Sequence, residues 1–128
     1  MKLLLDTHTF LWAIAEPARL SRKAARMILD ERNELLLSTV TLWEIIVKLQ
    51  AGKLKLPAST DYFQGHIGHL GVRQVLPVTP VHVYAVLKLP PVHKDPFDRL
   101  LAAQADVEGL PLLSADDVLR RYPVQVLW

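Results

Sequence analysis

The chain contains no cysteine, which excludes a disulfide framework, a thiolate metal site and a cysteine nucleophile together. A reducing cytoplasm is the expected home. No stretch approaches the roughly 18 apolar residues that a membrane span needs, and the apolar run near the N-terminus meets Asp6 too early to be a signal-peptide core. A soluble protein with no membrane association is expected. Charge of one sign is also scarce: 15 Lys and Arg stand against 13 Asp and Glu, for a net charge of +2. That permits a nucleic-acid partner without arguing for one. Repeats, low-complexity tracts and linkers are absent, so residues 1–128 are expected to form one domain with a core that needs no staples. What abounds is apolar residues, 51% of the chain. In a small domain with a high ratio of surface to volume, that excess implies an apolar patch for a partner to cover.

Strand and helix signatures alternate along the chain. Leu3, Leu4 and Leu5 form an apolar run of strand length closed by Asp6, as expected of a strand buried on both faces of a parallel sheet. Phe10, Leu11 and Ile14 predict a short helix over residues 9–15, ended by Glu16 and Pro17. Ser21 caps a second helix with Ala24, Ala25, Ile28 and Leu29 as its apolar stripe. Residues 35–37 repeat the strand signature, and Leu42, Ile45, Ile46 and Leu49 mark a helix stopped by Gly52. A helix over 59–70, a strand over 72–78 and a helix through Leu87, capped by Thr79 with Pro80 in its first turn, come next. The strongest helix, over 97–107, leads through Gly109 to the short strand Leu112–Leu113, and residues 124–127 close the chain as an edge strand. The pattern predicts an α/β fold with a central parallel β-sheet flanked by helices.

In open α/β sheets, ligands sit outside the carboxyl ends of the strands. Acids gather there: Asp6 after the first strand, Glu44 in the helix after the second, and Asp116 and Asp117 after the fourth, while Asp95 and Asp98 begin a helix. Each has an ordinary alternative. Asp6 fits an N-cap, and Glu44 sits four residues before Lys48 as in an exposed helix pair. Asp95 before Pro96 fits an N-cap with Asp98 at the reciprocal capping position, and Asp116 and Asp117 complement the dipole of a short helix over 115–121 capped by Ser114. Jointly, carboxylates at close range repel unless protonated or neutralised by a cation. Oxygen donors without Cys or a paired-His motif suit a hard ion, Mg²⁺ or Mn²⁺ before Zn²⁺, and such sites act on phosphates.

Leu4-Leu5-Asp6-Thr7, then Ser38 to Glu44 with its Trp43-Glu44-Ile45 core, then Asp95-Pro96-Phe97-Asp98-Arg99-Leu100-Leu101-Ala102-Ala103-Gln104-Ala105, then Leu113-Ser114-Ala115-Asp116 resemble the PIN-domain ribonucleases. More narrowly, the chain resembles the VapC-like toxins of bacterial and archaeal toxin–antitoxin pairs, over essentially its whole length. The resemblance implies a PIN-like three-layer fold, an endoribonuclease site at one sheet edge, an RNA substrate and a cognate antitoxin protein. Carried over residue by residue, it implies that Asp6, Glu44, Asp98 and Asp116 are catalytic and hold Mg²⁺ (or Mn²⁺), with hydroxyls from Thr7 and Ser114 beside them. His8 stands where many relatives have Asn or Ser. Asp95 and Asp117 leave a swap with Asp98 or Asp116 open, although Leu101, Ala102 and Ala105 set the Asp98 face toward the core side. His93 and Lys94 either touch RNA phosphate or lie in an exposed loop.

The leading expectation is in-line hydrolysis of RNA phosphodiesters at a metal held by these acids, with phosphate contacts from Lys48, Lys94, Arg99 or Arg120. An aspartyl-phosphate phosphotransferase would carry Asp-x-Asp after the first strand, and position 8 is His. A catalytically inactive PIN-like binding module is the remaining alternative. A homodimer, the commonest oligomer, is expected through the helices around residues 62–70 and 81–87. Phe10, Leu11 and Trp12 with Trp43, Ile46 and Val47 are candidates for an antitoxin groove.

Overall fold

The computed structural model describes residues 1–128. Five parallel strands, β1 Lys2–Leu5, β2 Glu34–Ser38, β3 Val72–Leu76, β4 Leu112–Leu113 and β5 Val126–Leu127, form one sheet in the order β3-β2-β1-β4-β5. Six α-helices join them: α1 Thr7–Ala15, α2 Arg22–Leu29, α3 Thr39–Gln50, α4 Thr60–Leu70, α5 Pro80–Ala85 and α6 Pro96–Glu108. Short 3₁₀ turns lie at Pro17–Arg19, Val86–Lys88 and Asp117–Arg121.

The leucine runs are continuous because both faces of the sheet are covered. Leu4, Leu36 and Leu112 point to one side and pack with Leu101, Ala102 and Ala105 of α6. Leu3, Leu5, Leu35, Leu37 and Leu113 point to the other, against Phe10 of α1, Ala24 of α2, Ile45 of α3 and Phe63 of α4. The result is the three-layer α/β arrangement expected, a parallel sheet between two helical layers.

Local departures have local causes. Helix α1 starts at Thr7 rather than Thr9, because the Asp6 carboxylate accepts the Thr9 N–H and closes the first turn two residues sooner. Strand β3 stops at Leu76, where its pairing with Ser38 ends and Pro77 offers no N–H. Helix α5 tightens into a 3₁₀ turn at Val86, and β5 is shorter than expected because only Leu112 and Leu113 of β4 pair with it. The expected helix over 115–121 is a 3₁₀ turn over Asp117–Arg121, capped by Asp116 and not by Ser114. Helix α4 forms despite Gly65 and Gly68 and ends at Gly71, whose φ of 82° no side-chain-bearing residue adopts readily.

Chain order creates the site. From β1 the chain moves to β2 and β3 on one side of the sheet, then crosses to β4 and β5 on the other. The carboxyl ends of β1 and β4 therefore flank a topological switch point, where α/β sheets leave a crevice.

The apolar surplus is partly spent in the core. Phe10 is fully buried there, so it is not available to an antitoxin groove, and Tyr62, Phe63, Ile67 and Leu70 of α4 pack inward as well. Trp43 and Ile46 of α3, and Val81, Val83, Tyr84 and Leu87 at α5, remain exposed. No helix is long and apolar enough to cross a membrane.

Candidate active site

Asp6 leaves β1 at the switch point and is almost wholly buried. Its Oδ1 accepts the Thr9 N–H at 2.8 Å, and its Oδ2 accepts the hydroxyl of Ser114, which sits just past β4. Burial pushes the Asp6 carboxyl above its ordinary range, against the lowering effect of the Ser114 and Thr9 hydrogen bonds. The capping alternative is therefore realised, and it places the acid at the crevice rather than away from it.

Glu44 is buried on the second turn of α3. Its Oε1 accepts the Thr7 hydroxyl at 2.7 Å, and the Thr41 hydroxyl lies 3.2 Å from that of Thr7. Its Oε2 pairs with the Lys48 ammonium. The sequence spacing named the right partner but the wrong environment, since the helix pair is not exposed.

Asp95 caps α6, its Oδ1 accepting the N–H of Phe97 at 2.8 Å and of Asp98 at 3.3 Å. Asp98, one turn on, aims its Oδ2 at His93 Nε2, 3.1 Å away. The same nitrogen lies 3.0 Å from Oδ2 of Asp116, whose backbone N–H donates to Ser114 Oγ at 3.0 Å. His93, Asp98 and Asp116 have donor atoms all within 4.8 Å of one another, as a cation site requires. Asp6 and Glu44 stand outside that tight cluster. Asp117 turns away into solvent and meets Arg120 at 3.5 Å, whereas Asp116 faces His93.

The acids nevertheless share one electrostatic neighbourhood. Asp98 is pushed up to about 7, first by burial and then by the negative charges of Asp95, Glu44 and Asp6, with His93 acting the other way. A buried carboxyl raised further by its acidic neighbours fits a bound cation nearby, and a donor set of carboxylate oxygens suits Mg²⁺ or Mn²⁺. Among the basic candidates, Arg99 spends its guanidinium on the carbonyls of Pro90 and Val86, and Arg120 bonds the Val126 carbonyl. Lys94 is exposed beside the cluster and carries no ion pair.

His93 was the residue that sequence reasoning placed least well. It is neither a free loop residue nor turned toward solvent: it bridges two of the acids. The only signal was its position two residues before the helix-capping Asp95, and spacing alone did not reveal the bridge to Asp116.

Residues 3–125 match the PIN domain family. Ribonuclease VapC22 of Mycobacterium tuberculosis is 29% identical over 121 residues, covering 93% of this chain and 90% of its own. Similar folds occur in the solved structure of VapBC2 from Rickettsia felis bound to a DNA fragment from their promoter, with a TM-score of 0.72, 15% identity, 99% of this chain and 98% of that one. DNA-bound VapBC from Salmonella typhimurium gives a TM-score of 0.70 at 19% identity, over 99% of this chain and 97% of that one. With the family matched from the first strand to beyond the last acid, on a sheet that gathers those acids at its switch point, this chain belongs to the PIN-domain family.

Proposed function

We propose that residues 1–128 act as one PIN-like domain in the cytoplasm, a Mg²⁺- or Mn²⁺-dependent endoribonuclease that hydrolyses RNA phosphodiester bonds as the toxin of a toxin–antitoxin pair. The observation that carries the reading is Asp98 at the switch point, gathered with Asp116 around His93 and pushed up to about 7 by burial and then by the charges of Asp95, Glu44 and Asp6, a repulsion that a bound cation would relieve. The name ribonuclease on a 29% identical relative, and the VapBC complexes among its structural neighbours, support the same reading.

Asp6, Glu44, Asp98 and Asp116 would hold the metal, which when bound supplies the positive charge that favours a hydroxide-like nucleophile at neutral pH and steadies the phosphate oxygens. The protein's own part is orientation. Ser114 and the Thr9 N–H fix both oxygens of Asp6, and Thr7 and Lys48 fix both oxygens of Glu44. Lys94 is the cation left to meet an incoming phosphate, while Arg99 and Arg120 brace the scaffold. For the antitoxin, a groove of about 350 Å³ between α3 and α4, lined by Leu42, Ile45, Ile46, Leu49, Phe63 and Ile67, suits an amphipathic segment. The exposed face of Val81, Val83, Tyr84 and Leu87 suits a homodimer, and light scattering that finds only monomer at micromolar concentration would count against it.

Purified protein incubated with mixed cellular RNA, with and without Mg²⁺, tests the activity. Mapping of the RNA should reveal new internal ends only when the metal is present. RNA left intact with every divalent ion tried, despite measurable RNA or partner binding, would instead identify a catalytically inactive PIN-like binding module.

A further inference from the structure

His93, Asp98 and Asp116 have the look of a three-ligand metal set, yet the hydrogen bonds of the imidazole contradict a ligand role for it. The backbone N–H of Asp95 donates to His93 Nδ1 at 3.2 Å. A backbone amide can only donate, so Nδ1 keeps its lone pair and the ring proton resides on Nε2. That Nε2–H faces Oδ2 of Asp116 at 3.0 Å and Oδ2 of Asp98 at 3.1 Å, carboxyl oxygens with lone pairs to accept it. A nitrogen carrying a proton has no lone pair to offer a metal. The residue is pinned at its other end too, since the His93 backbone N–H donates to the hydroxyl of the buried Tyr122 at 3.0 Å. To become a ligand, the ring would have to surrender both its proton and its bond to Asp95.

We infer that His93 is a positioning residue, whose Nε2–H fixes the Asp98 and Asp116 carboxylates beside one another from outside the metal's ligand set. This inference rests on the proposed metal-dependent reading and refines it. One side chain thereby links the α6 acid to the acid beyond β4. Asp95 serves twice, its carboxylate capping α6 and its N–H selecting the tautomer.

Long-range ¹H–¹⁵N correlation of the histidine rings in labelled wild-type protein reads the tautomer directly, first without metal and then with Mg²⁺. The proton should stay on Nε2 in both states, and the Mn²⁺-loaded protein should show no imidazole nitrogen coupling in electron spin-echo spectra. Mg²⁺ affinity by calorimetry should fall about tenfold or more in His93→Ala. In His93→Gln, whose amide N–H reaches the place of Nε2–H, affinity should stay within about threefold of wild type, a recovery expected of an orienting donor. A proton on Nδ1, a nitrogen coupling from the bound ion, or a Gln variant as impaired as Ala would overturn the inference. If the Ala variant fails to fold, the wild-type spectra and His93→Gln still decide it. Wild-type protein that binds neither Mg²⁺ nor Mn²⁺ would overturn the proposed function and this inference's metal half together, whereas the metal-free tautomer stands or falls on its own spectrum.

Discussion

Replacing Asp98 by Asn should stabilise the metal-free protein at pH 8 and change it little near pH 4. The carboxyl ordinarily titrates near 3.8 and is pushed up to about 7 in the fold, chiefly by burial and then by the charges of Asp95, Glu44 and Asp6. Below 3.8 both folded and unfolded chains hold the proton, and the site costs nothing. Between 3.8 and about 7 the folded state keeps a proton that the unfolded chain has released, so stability falls as pH rises, and above about 7 the loss is complete. At about 1.4 kcal/mol for each tenfold change in proton affinity, the ceiling is about 4 kcal/mol. The side chain is 20% exposed, and screening by water takes roughly half, leaving about 2 kcal/mol. In a chain of this size that corresponds to roughly 5–10 °C in Tm. Thermal melts in chelator at pH 4, 6 and 8 should therefore show a gap between Asp98→Asn and wild type that widens with pH. Some slope should survive in the variant, because Asp6 is raised for the same reason. Saturating Mg²⁺ should close or reverse the gap, since at a hundredfold excess over Kd it stabilises a binding-competent protein by about 2.7 kcal/mol. A gap equal at every pH, or a variant less stable than wild type at pH 8, would refute the electrostatic argument.

Asp6→Asn should abolish Mg²⁺-dependent cleavage and weaken metal binding while leaving the circular dichroism spectrum native; full activity in a nuclease assay would sink the assignment. Asp95→Asn keeps an acceptor for the α6 amides and should be mild, whereas Asp98→Asn should be severe in the same assay, and the reverse order would make Asp95 the ligand. Asp95→Ala should cost about 1 kcal/mol in urea unfolding through the lost cap. Phe10→Ala, at a fully buried position, should cost about 3–5 kcal/mol whether or not Mg²⁺ is present, and a loss under 1 kcal/mol would remove α1 from the core.

The layers of this fold were legible because burial on both faces leaves a crude mark, three leucines in a row ending in a polar residue. Helix starts were legible where a capping side chain stands before an apolar stripe, as at Ser21, Thr79 and Asp95. What was not legible depends on contacts between distant segments. The length of β5 is set by its partner β4, and the bridge from His93 to Asp116 joins residues that only the crossover brings together. Likewise the spacing of Glu44 and Lys48 told of a pair, but its burial comes from the packing of α3 beside α1 and α6.

The ordinary and the proposed chemical readings of the acids need not compete, because a carboxylate has two oxygens. Asp6 gives Oδ1 to the first turn of α1 and Oδ2 to Ser114 across the crevice. Asp116 gives Oδ1 to the Val118 N–H and Oδ2 to His93, and Glu44 divides its pair between Thr7 and Lys48. A helix following a parallel strand begins at the sheet's carboxyl edge, so the residue best placed to cap it is also best placed to face the crevice. Capping then does more than stabilise a helix. By holding one oxygen on backbone amides it fixes the rotamer of the other, and an acid oriented by its own helix needs no reorganisation when a cation arrives. Under the proposed metal-dependent reading, loss of a cap such as that of Asp116 should thus weaken Mg²⁺ binding as well as the fold.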